Sequence, residues 1–268
     1  METLQDTLKK NEKQKEFYNK KKKSLPSRIW SFVREKSLKN IRKELGILEQ
    51  SYALHKQWMG DLSNKRVLDL GCYSGNSLSR YMATNCKTYV GLDLSDVAIA
   101  KLNEKLKDVP HARAIAADFF SEDFTESNFD LIYAYGVLHH FKNVDNLILR
   151  LDEKLAPGGE IISYDPLQTS YPIWFIRMLY RPFQSDAAWE WPFSRNTYRK
   201  FESNFELLER RGVLGKSKWY FLYAMLPFSK EKKLRWGKAA HRYDWERSAV
   251  SNSHLYSCMQ LNLHLRKK

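Results

Sequence analysis

The chain has 268 residues, and its composition of 43% hydrophobic and 14% aromatic residues supplies a substantial core for one large domain or a core domain with a cap. No run reaches the roughly 18 uninterrupted apolar residues that a membrane span needs, and the N-terminus lacks the apolar segment of a secretory signal. The cysteines Cys72, Cys86 and Cys258 have no CxxC spacing, so we expect neither a disulfide framework nor a metal site, and a cytoplasmic setting.

The net charge of +14 is unevenly distributed along the chain. Residues 1–45 contain fourteen basic against six acidic residues, whereas residues 65–165 contain eleven against fifteen. The basic excess therefore lies outside the central segment. Such flanks suit an anionic membrane surface, a phosphorylated substrate, nucleic acid or simply solvated helix faces.

Residues 1–60 are predicted to form a basic, helical N-terminal extension. One amphipathic helix is indicated by apolar residues at three- and four-residue intervals: Leu38, Ile41, Leu45 and Leu48. Gly46 falls inside this pattern, and a second helix is predicted over Glu49–Met59. The stretch Arg28–Leu48 combines basic with aromatic and aliphatic residues, which suits either a helix on an anionic lipid surface or a lid over a ligand site.

From residue 61 onward, short apolar strands alternate with helices of about ten residues. Five strands are predicted: Arg66–Leu70, Lys87–Leu92, Ala112–Ala117, Phe129–Tyr135 and Glu160–Tyr164. This alternation predicts an α/β, Rossmann-like, mostly parallel seven-stranded sheet with helices on both faces, over residues 61–268. The two remaining strands are expected at Phe205–Glu209 and at Met259–Leu265, where alternation suggests a half-buried strand.

An aromatic segment interrupts this pattern after the fifth strand. Residues 171–193 contain eight aromatic residues and three prolines, which excludes a sheet strand and predicts a cap inserted at about 166–200. As a lid, the cap would exclude water from an acceptor pocket, with Arg177, Arg181 or Arg195 reaching an anionic group. As a plain cover, it would only shield the open side of the sheet.

The strongest motif is VLDLGCYSGNS, Val67–Ser77, which follows a predicted strand and opens a helix. Gly71 permits a sharp turn, and Gly75 lets the next helix begin close to a ligand. A dinucleotide loop would need GxGxxG, but Tyr73 and Asn76 occupy its second and third glycine positions. The motif instead has an acid before its turn, Asp69, which suits a cationic ligand.

This motif resembles motif I of the class I S-adenosylmethionine-dependent methyltransferases, and the resemblance is good over residues 64–166. In that family an acid at the position of Asp93 binds the ribose hydroxyls, and one at Asp118 contacts the adenine amino group. The segments Phe129–Phe141 and Leu155–Gly159 are similar to those of the ubiquinone-biosynthesis-like members. The resemblance implies S-adenosylmethionine as cofactor, bound by Asp69, Gly71, Cys72, Tyr73, Gly75, Asp93, Leu94, Asp118, Phe119 and Tyr135. Tyr73 departs from the glycine that the family usually carries.

Three residues at the ends of the fourth and fifth strands are candidate catalytic groups. His139 and His140 follow the fourth strand, and adjacent residues cannot both face one substrate. Asp165 ends the fifth strand and is an alternative base or substrate contact.

The acceptor is expected to be a small-molecule or lipid-linked metabolite, with anionic ones included, that is methylated at oxygen or nitrogen. The protein is expected to make weak peripheral contact with a membrane. An RNA-modifying methyltransferase and a non-catalytic S-adenosylmethionine-binding protein are the alternatives. Nucleic acid is not expected as a partner on this view, since amino-directed base methyltransferases carry an Asn/Asp-Pro-Pro-aromatic motif where this chain has Tyr135–Leu138.

Overall fold

The first four predicted strands form within one residue of their expected bounds in the computed structural model, which describes residues 11–17, 19, 39–184 and 187–268. The seven strands are β1 Arg66–Leu70, β2 Thr88–Asp93, β3 Ala112–Ala116, β4 Phe129–Tyr135, β5 Leu155–Pro166, β6 Phe205–Val213 and β7 Gln260–Lys267. They make one sheet in the order β3-β2-β1-β4-β5-β7-β6. Only β7 runs antiparallel to its neighbours, so the predicted mostly parallel sheet is confirmed.

Helices connect these strands and cover the sheet. They are α1 Ile47–Met59, α2 Ser77–Asn85, α3 Asp96–Lys105, α4 Val144–Lys154, α5 Tyr171–Tyr180, α6 Arg195–Asn204, α7 Tyr220–Ala224, α8 Lys230–Val250 and α9 Asn252–Leu255. Residues 11–17 and 39–45 are also helical. Ser95 caps α3, and its hydroxyl accepts a hydrogen bond from the amide of Ala98 at 3.2 Å. Within the described ranges, no helix is both long and apolar enough to cross a bilayer.

The prediction of one continuous helix around Leu38–Leu48 is wrong. Gly46 has a φ of +70° and interrupts the helix between residues 39–45 and α1. The left-handed conformation is easily adopted by glycine, so the apolar repeat continues although the helix does not. Residues 20–38, including most of Arg28–Leu48, lie outside the described residues.

The prediction of a half-buried final strand is also wrong, because β7 is buried on both faces. β7 lies inside the sheet between β5 and β6, and Leu261, Asn262 and Leu263 are each at most 1% exposed. The amide oxygen of Asn262 accepts a hydrogen bond from Nε2 of His55 on α1, at 2.9 Å. Burial lowers the pKa of His55 to about 4, so this histidine is neutral at physiological pH. The alternation of polar and apolar residues in β7 suggested an exposed face, but its polar residue Asn262 is buried and hydrogen-bonded to His55.

Candidate active site at the ends of the first five strands

The turn after β1 requires glycine. Gly71 has a φ of +68°, and a Cβ atom added to it would lie 2.4 Å from Cγ2 of Val137, in the loop after β4. Gly75 also has a positive φ, of +80°, just before Asn76 caps α2. The turn therefore lies at the boundary between β1 and β4, where the strand order reverses and open α/β sheets bind ligands.

Two predicted cofactor-binding carboxylates lie at the ends of β2 and β3. Asp93 accepts hydrogen bonds from the amides of Tyr73 and Ser95, both at 2.9 Å, and burial raises its pKa. Tyr73 has a φ of +47°, a left-handed conformation that aims its amide at Asp93. Asp118 accepts from the amide of Phe120 at 2.9 Å, and burial raises its pKa as well. Both carboxylates thus anchor the backbone of the site.

Asp69 and Cys72 lie beneath this surface. Asp69 is 1% exposed and accepts a hydrogen bond from the hydroxyl of Tyr89 at 2.7 Å. Cys72 is 5% exposed, with its sulfur against Gly91, and burial raises its thiol pKa well above the usual range. Their side chains support the turn from inside the protein, which differs from the direct ligand contact that the sequence suggested.

Asp69 makes stability depend on pH, because burial raises its pKa from 3.8 to about 6. When burial raises the pKa of a carboxyl in the folded state, the free energy of unfolding falls as pH rises from the pKa of the unfolded state to that of the folded state. For Asp69 this loss amounts to about 3 kcal/mol above pH 6. We therefore expect Asp69→Asn to melt about 5 °C higher than the wild type at pH 8 and to gain little at pH 4. Thermal melts without cofactor measure this, with the exposed Asp108→Asn as control. Equal gains at both pH values would contradict it.

Three other residues predicted to bind the cofactor lie in three different environments. Phe119 is 3% exposed and packs against Phe124 and Phe141, so its side chain belongs to the core. Leu94 is half-buried beside Asp93. Tyr135 lines a large cavity and stacks on Tyr164, with ring centroids 4.8 Å apart.

Part of the N-terminal extension lies on the ends of β2 and β3, which sequence reasoning missed. The side-chain amide of Asn11 donates to Asp118 at 2.7 Å, and that of Asn19 donates to Asp96 at 2.8 Å. The hydroxyl of Ser95 donates to Asn19 at 2.6 Å. Asparagines in a lysine-rich, polar stretch carry no periodic signal, so only the folded structure reveals these contacts.

The cavity of about 1090 Å³ opens beside the carboxyl ends of β4 and β5. Its walls come from residues 39–48, α5 and the segment leading into α7. Its aromatic lining residues are Tyr135, Tyr164, Trp174, Trp219 and Phe221, and its basic ones are Lys39, Arg42, Arg177, Arg181 and Lys218. Glu190 is the acidic residue among the described lining residues. The predicted cap therefore forms a wall of this cavity through α5, although the proposed domain boundaries remain a prediction.

Arg42 is a cavity residue that sequence reasoning did not select. It follows Ile41 on helix 39–45, and its Nε atom is buried without a hydrogen-bond partner. Its charge acts on the nearby hydroxyls of Tyr135 and Tyr164 and opposes the rise in their pKa that burial causes. The signal available in the sequence was only the basic character of the flank.

The three candidate catalytic residues divide into two environments. Asp165 is fully buried, and its Oδ1 lies 2.9 Å from Nδ1 of His139, which lines the cavity. The backbone amide of His139 also donates to this oxygen at 3.2 Å. Nδ1 of His140 instead lies 2.6 Å from the carbonyl oxygen of Trp189, outside the cavity lining.

The predicted roles of Asp165 and His140 therefore need correction. Asp165 has no exposed surface with which to act as the base itself, and it can act only by orienting His139. His140 ties the loop after β4 to the cap. With the Nδ1 proton of His139 donated to Asp165, Nε2 is the ring atom that can accept a proton.

Comparisons with known proteins agree with this geometry. Residues 30–210 match the family described as "Methyltransferase domain". The chain is 34% identical over 102 residues to a tRNA U34 carboxymethyltransferase of Pseudoalteromonas atlantica. The aligned segment covers 38% of this chain and 32% of the relative. The chain thus spans about a third of the length of the curated relatives it matches.

Solved structures that share the fold include two methyltransferases. An N-methyltransferase, NodS, from Bradyrhizobium japonicum in complex with S-adenosyl-L-homocysteine has a TM-score of 0.52 at 15% identity, covering 86% of this chain and 98% of that chain. A geranyl diphosphate C-methyltransferase from Streptomyces coelicolor in complex with the same nucleoside has a TM-score of 0.57 at 14% identity, covering 86% and 84%.

The residues fit the cofactor of this family, because the turn after β1 requires glycine at position 71 and two carboxylates lie at the neighbouring strand ends. S-adenosylmethionine is accordingly the cofactor. The chain belongs to the class I S-adenosylmethionine-dependent methyltransferases.

Proposed function

We propose that this chain is an RNA-modifying methyltransferase and that tRNA is its acceptor class. The observation that carries the proposal is the similarity of the methyltransferase core to curated tRNA U34 carboxymethyltransferases, at 34% identity in one case and 30% in another. This similarity overturns the expectation of a small-molecule or lipid-linked acceptor and the view that nucleic acid is an unlikely partner. The missing Asn/Asp-Pro-Pro-aromatic motif argues only against one way of gripping a base amine.

The cavity has the chemistry that a nucleotide needs. Aromatic faces such as Trp174 and Trp219 can stack on a base, and the basic side chains of Arg42 and Lys218 suit its phosphate. Lys218 is 7% exposed and donates to the carbonyl of Ser257 at 2.7 Å, so its ammonium group is held in place. The net charge of +14 adds a long-range attraction for a polyanion.

On this proposal, the glycine turn at Gly71, the carboxylate of Asp93 and that of Asp118 hold the cofactor. The bound cofactor supplies an activated methyl group on a sulfonium, which is its own leaving group. The walls of the cavity position the acceptor nucleotide and exclude water. Nε2 of His139 accepts the proton that a hydroxyl or amine acceptor releases, while Asp165 fixes the ring.

Asp93 is expected to contribute directly to cofactor affinity. Charge-assisted hydrogen bonds to a ribose are each worth about 1.5–3 kcal/mol, so Asp93→Ala should weaken S-adenosylmethionine binding at least tenfold. Asp93→Asn, which keeps one acceptor oxygen for the backbone amides, should fall between this variant and the wild type. Isothermal titration measures the affinities, with Asp108→Ala as control. Unchanged affinity in Asp93→Ala would contradict the assignment of Asp93 to the cofactor site.

The acceptor is tested by incubating the protein with methyl-labelled S-adenosylmethionine and total cell RNA separated by size. We expect label in the tRNA fraction, and we expect nuclease digestion before incubation to abolish it. Label that resists nuclease and travels with protein or lipid would contradict the proposal.

A further inference from the structure

One buried carboxylate of α8 holds the turn that follows β6. The side chain of Asp244 accepts hydrogen bonds from three successive backbone amides, those of Gly215 at 2.9 Å, Lys216 at 2.7 Å and Ser217 at 2.9 Å. The hydroxyl of Ser217 donates to the same carboxylate at 2.7 Å. Successive amides that converge on one carboxylate fix the backbone conformation of a turn, here at residues 214–217.

The residues of this turn are adapted to the carboxylate. A Cβ atom added to Gly215 would lie 2.5 Å from Oδ1 of Asp244, so glycine allows the carboxylate to approach the backbone. Leu214 has a φ of +59°, a left-handed conformation that is unfavourable for a residue with a branched side chain. The hydrogen bonds from the next three residues to Asp244 stabilise this strained backbone.

The two residues after the turn line the cavity beside β4 and β5. Lys218 and Trp219 both belong to its wall, and Nζ of Lys218 lies 5.5 Å from the ring centroid of Trp219. Burial lowers the pKa of Lys218, and the nearby charge of Asp244 opposes this shift. Asp244 is not among the described residues of the lining, so it can affect the cavity only through its neighbours.

The hydrogen-bond partner of Lys218 is tied to the same carboxylate. The ammonium group of Lys218 donates to the carbonyl of Ser257, and the hydroxyl of Ser257 donates to the carbonyl of His254 at 2.7 Å. Nε2 of His254 lies 3.0 Å from Oδ1 of Asp244. A closed chain of hydrogen bonds therefore joins Asp244 to Lys218 from both sides, through the turn and through the residues after α9.

We propose that Asp244 is a positioning residue of the acceptor site, because it fixes the turn at 214–217 and thereby holds Lys218 and Trp219 in the cavity wall. This inference rests on the proposed role of the cavity as the site of the acceptor nucleotide. Lys218 suits a phosphate, and a base can stack on Trp219. Asp244 should accordingly set the affinity for the acceptor and leave the affinity for the cofactor unchanged.

Asp244→Asn is expected to raise KM for tRNA at least tenfold, with kcat and S-adenosylmethionine affinity within about threefold of the wild type. Whichever way the asparagine amide is oriented, its NH₂ group faces a backbone N–H of the turn, so the turn must rearrange. Steady-state kinetics and titration calorimetry measure these values. An unchanged KM would overturn the proposal.

A milder variant keeps the test decisive if Asp244→Asn does not fold. Ser217→Ala removes one of the four donors of the turn and retains the carboxylate, so it should raise KM for tRNA about threefold. In a double-mutant cycle, Ser217→Ala should add little to Lys218→Met with Trp219→Ala, because its effect passes through these two side chains. Additive effects on KM would overturn the proposal.

Ser248→Ala is the matched control for a general loss of stability. Ser248 is also 0% exposed and lies one turn further along the buried side of α8, where its hydroxyl accepts a hydrogen bond from the amide of Gly212 at 2.8 Å. This variant should melt at a lower temperature but keep KM for tRNA within twofold. An equal rise of KM in Ser248→Ala and Asp244→Asn would overturn the proposal.

Hydrogen exchange tests the positioning role independently of the acceptor. Without RNA, Asp244→Asn should speed amide exchange in residues 214–219 at least tenfold, as mass spectrometry would record, and Ser248→Ala should change it by less than about threefold. Exchange in Asp244→Asn as slow as in the wild type would overturn the positioning role. Absence of transfer to tRNA by the wild type would instead contradict the proposed function, and this exchange measurement would still decide whether Asp244 orders the wall.

Discussion

Gly71→Ala is expected to abolish S-adenosylmethionine binding, with an affinity loss of at least a hundredfold. The new Cβ would lie 2.4 Å from Cγ2 and 2.6 Å from Cβ of Val137. Rotation of the Val137 side chain cannot relieve the second contact, so the turn must move away from the strand ends that it joins. The positive φ of +68° adds backbone strain.

A control variant separates strain from collision. Gly158 has a similar φ of +70° but no atom within 4 Å of an added Cβ. Gly158→Ala should therefore lose some stability and keep its cofactor affinity, as titration calorimetry and thermal melts would record. If Gly71→Ala bound cofactor as well as Gly158→Ala does, the glycine turn would not be the cofactor site.

His139→Ala is expected to lower the rate of transfer to the acceptor by about 10²–10⁴-fold, the usual contribution of general base catalysis. Cofactor affinity should remain within twofold, because the histidine lines the acceptor cavity and not the glycine turn. His140→Ala is the matched control, since its ring bonds to the carbonyl of Trp189 and should cost stability more than rate. Equal rate losses in the two variants would contradict the assignment.

Asp165 should act only through His139. Asp165→Asn keeps an oxygen that can accept the Nδ1 proton but removes the charge, so kcat should fall while KM for the acceptor changes little. In a double-mutant cycle, Asp165→Asn should add nothing to His139→Ala. Additive losses in kcat would mean that Asp165 contributes separately from the histidine.

The sequence predicts the strands and the strand-end carboxylates well, for a physical reason. Each short apolar run from β1 to β4 is bounded by a turn or helix cap, and parallel strands bring their carboxyl ends to one edge. Asp93 and Asp118 follow from that rule. How deeply a residue is buried below that edge does not follow from the rule. Asp69 and Phe119 are accordingly more deeply buried than a direct ligand contact requires.

Pairings between distant segments were not predictable from local pattern. His139 meets Asp165 because β4 and β5 are adjacent in the register that pairs Tyr135 with Tyr164. That register depends on a bulge between the first residues of the two strands, where Gly158 has a positive φ. Arg42 lines the cavity from helix 39–45, which Gly46 separates from α1, and the local pattern around Arg42 does not predict this position.

Mass analysis of nucleosides from purified tRNA incubated with the protein and S-adenosylmethionine tests the central claim most directly. The wild type should raise the mass of one nucleoside by a methyl group, and His139→Ala should produce at least a hundredfold less while binding the cofactor normally. An unchanged nucleoside profile with the wild type, when the cofactor is bound and tRNA is intact, would contradict the assignment of RNA as acceptor.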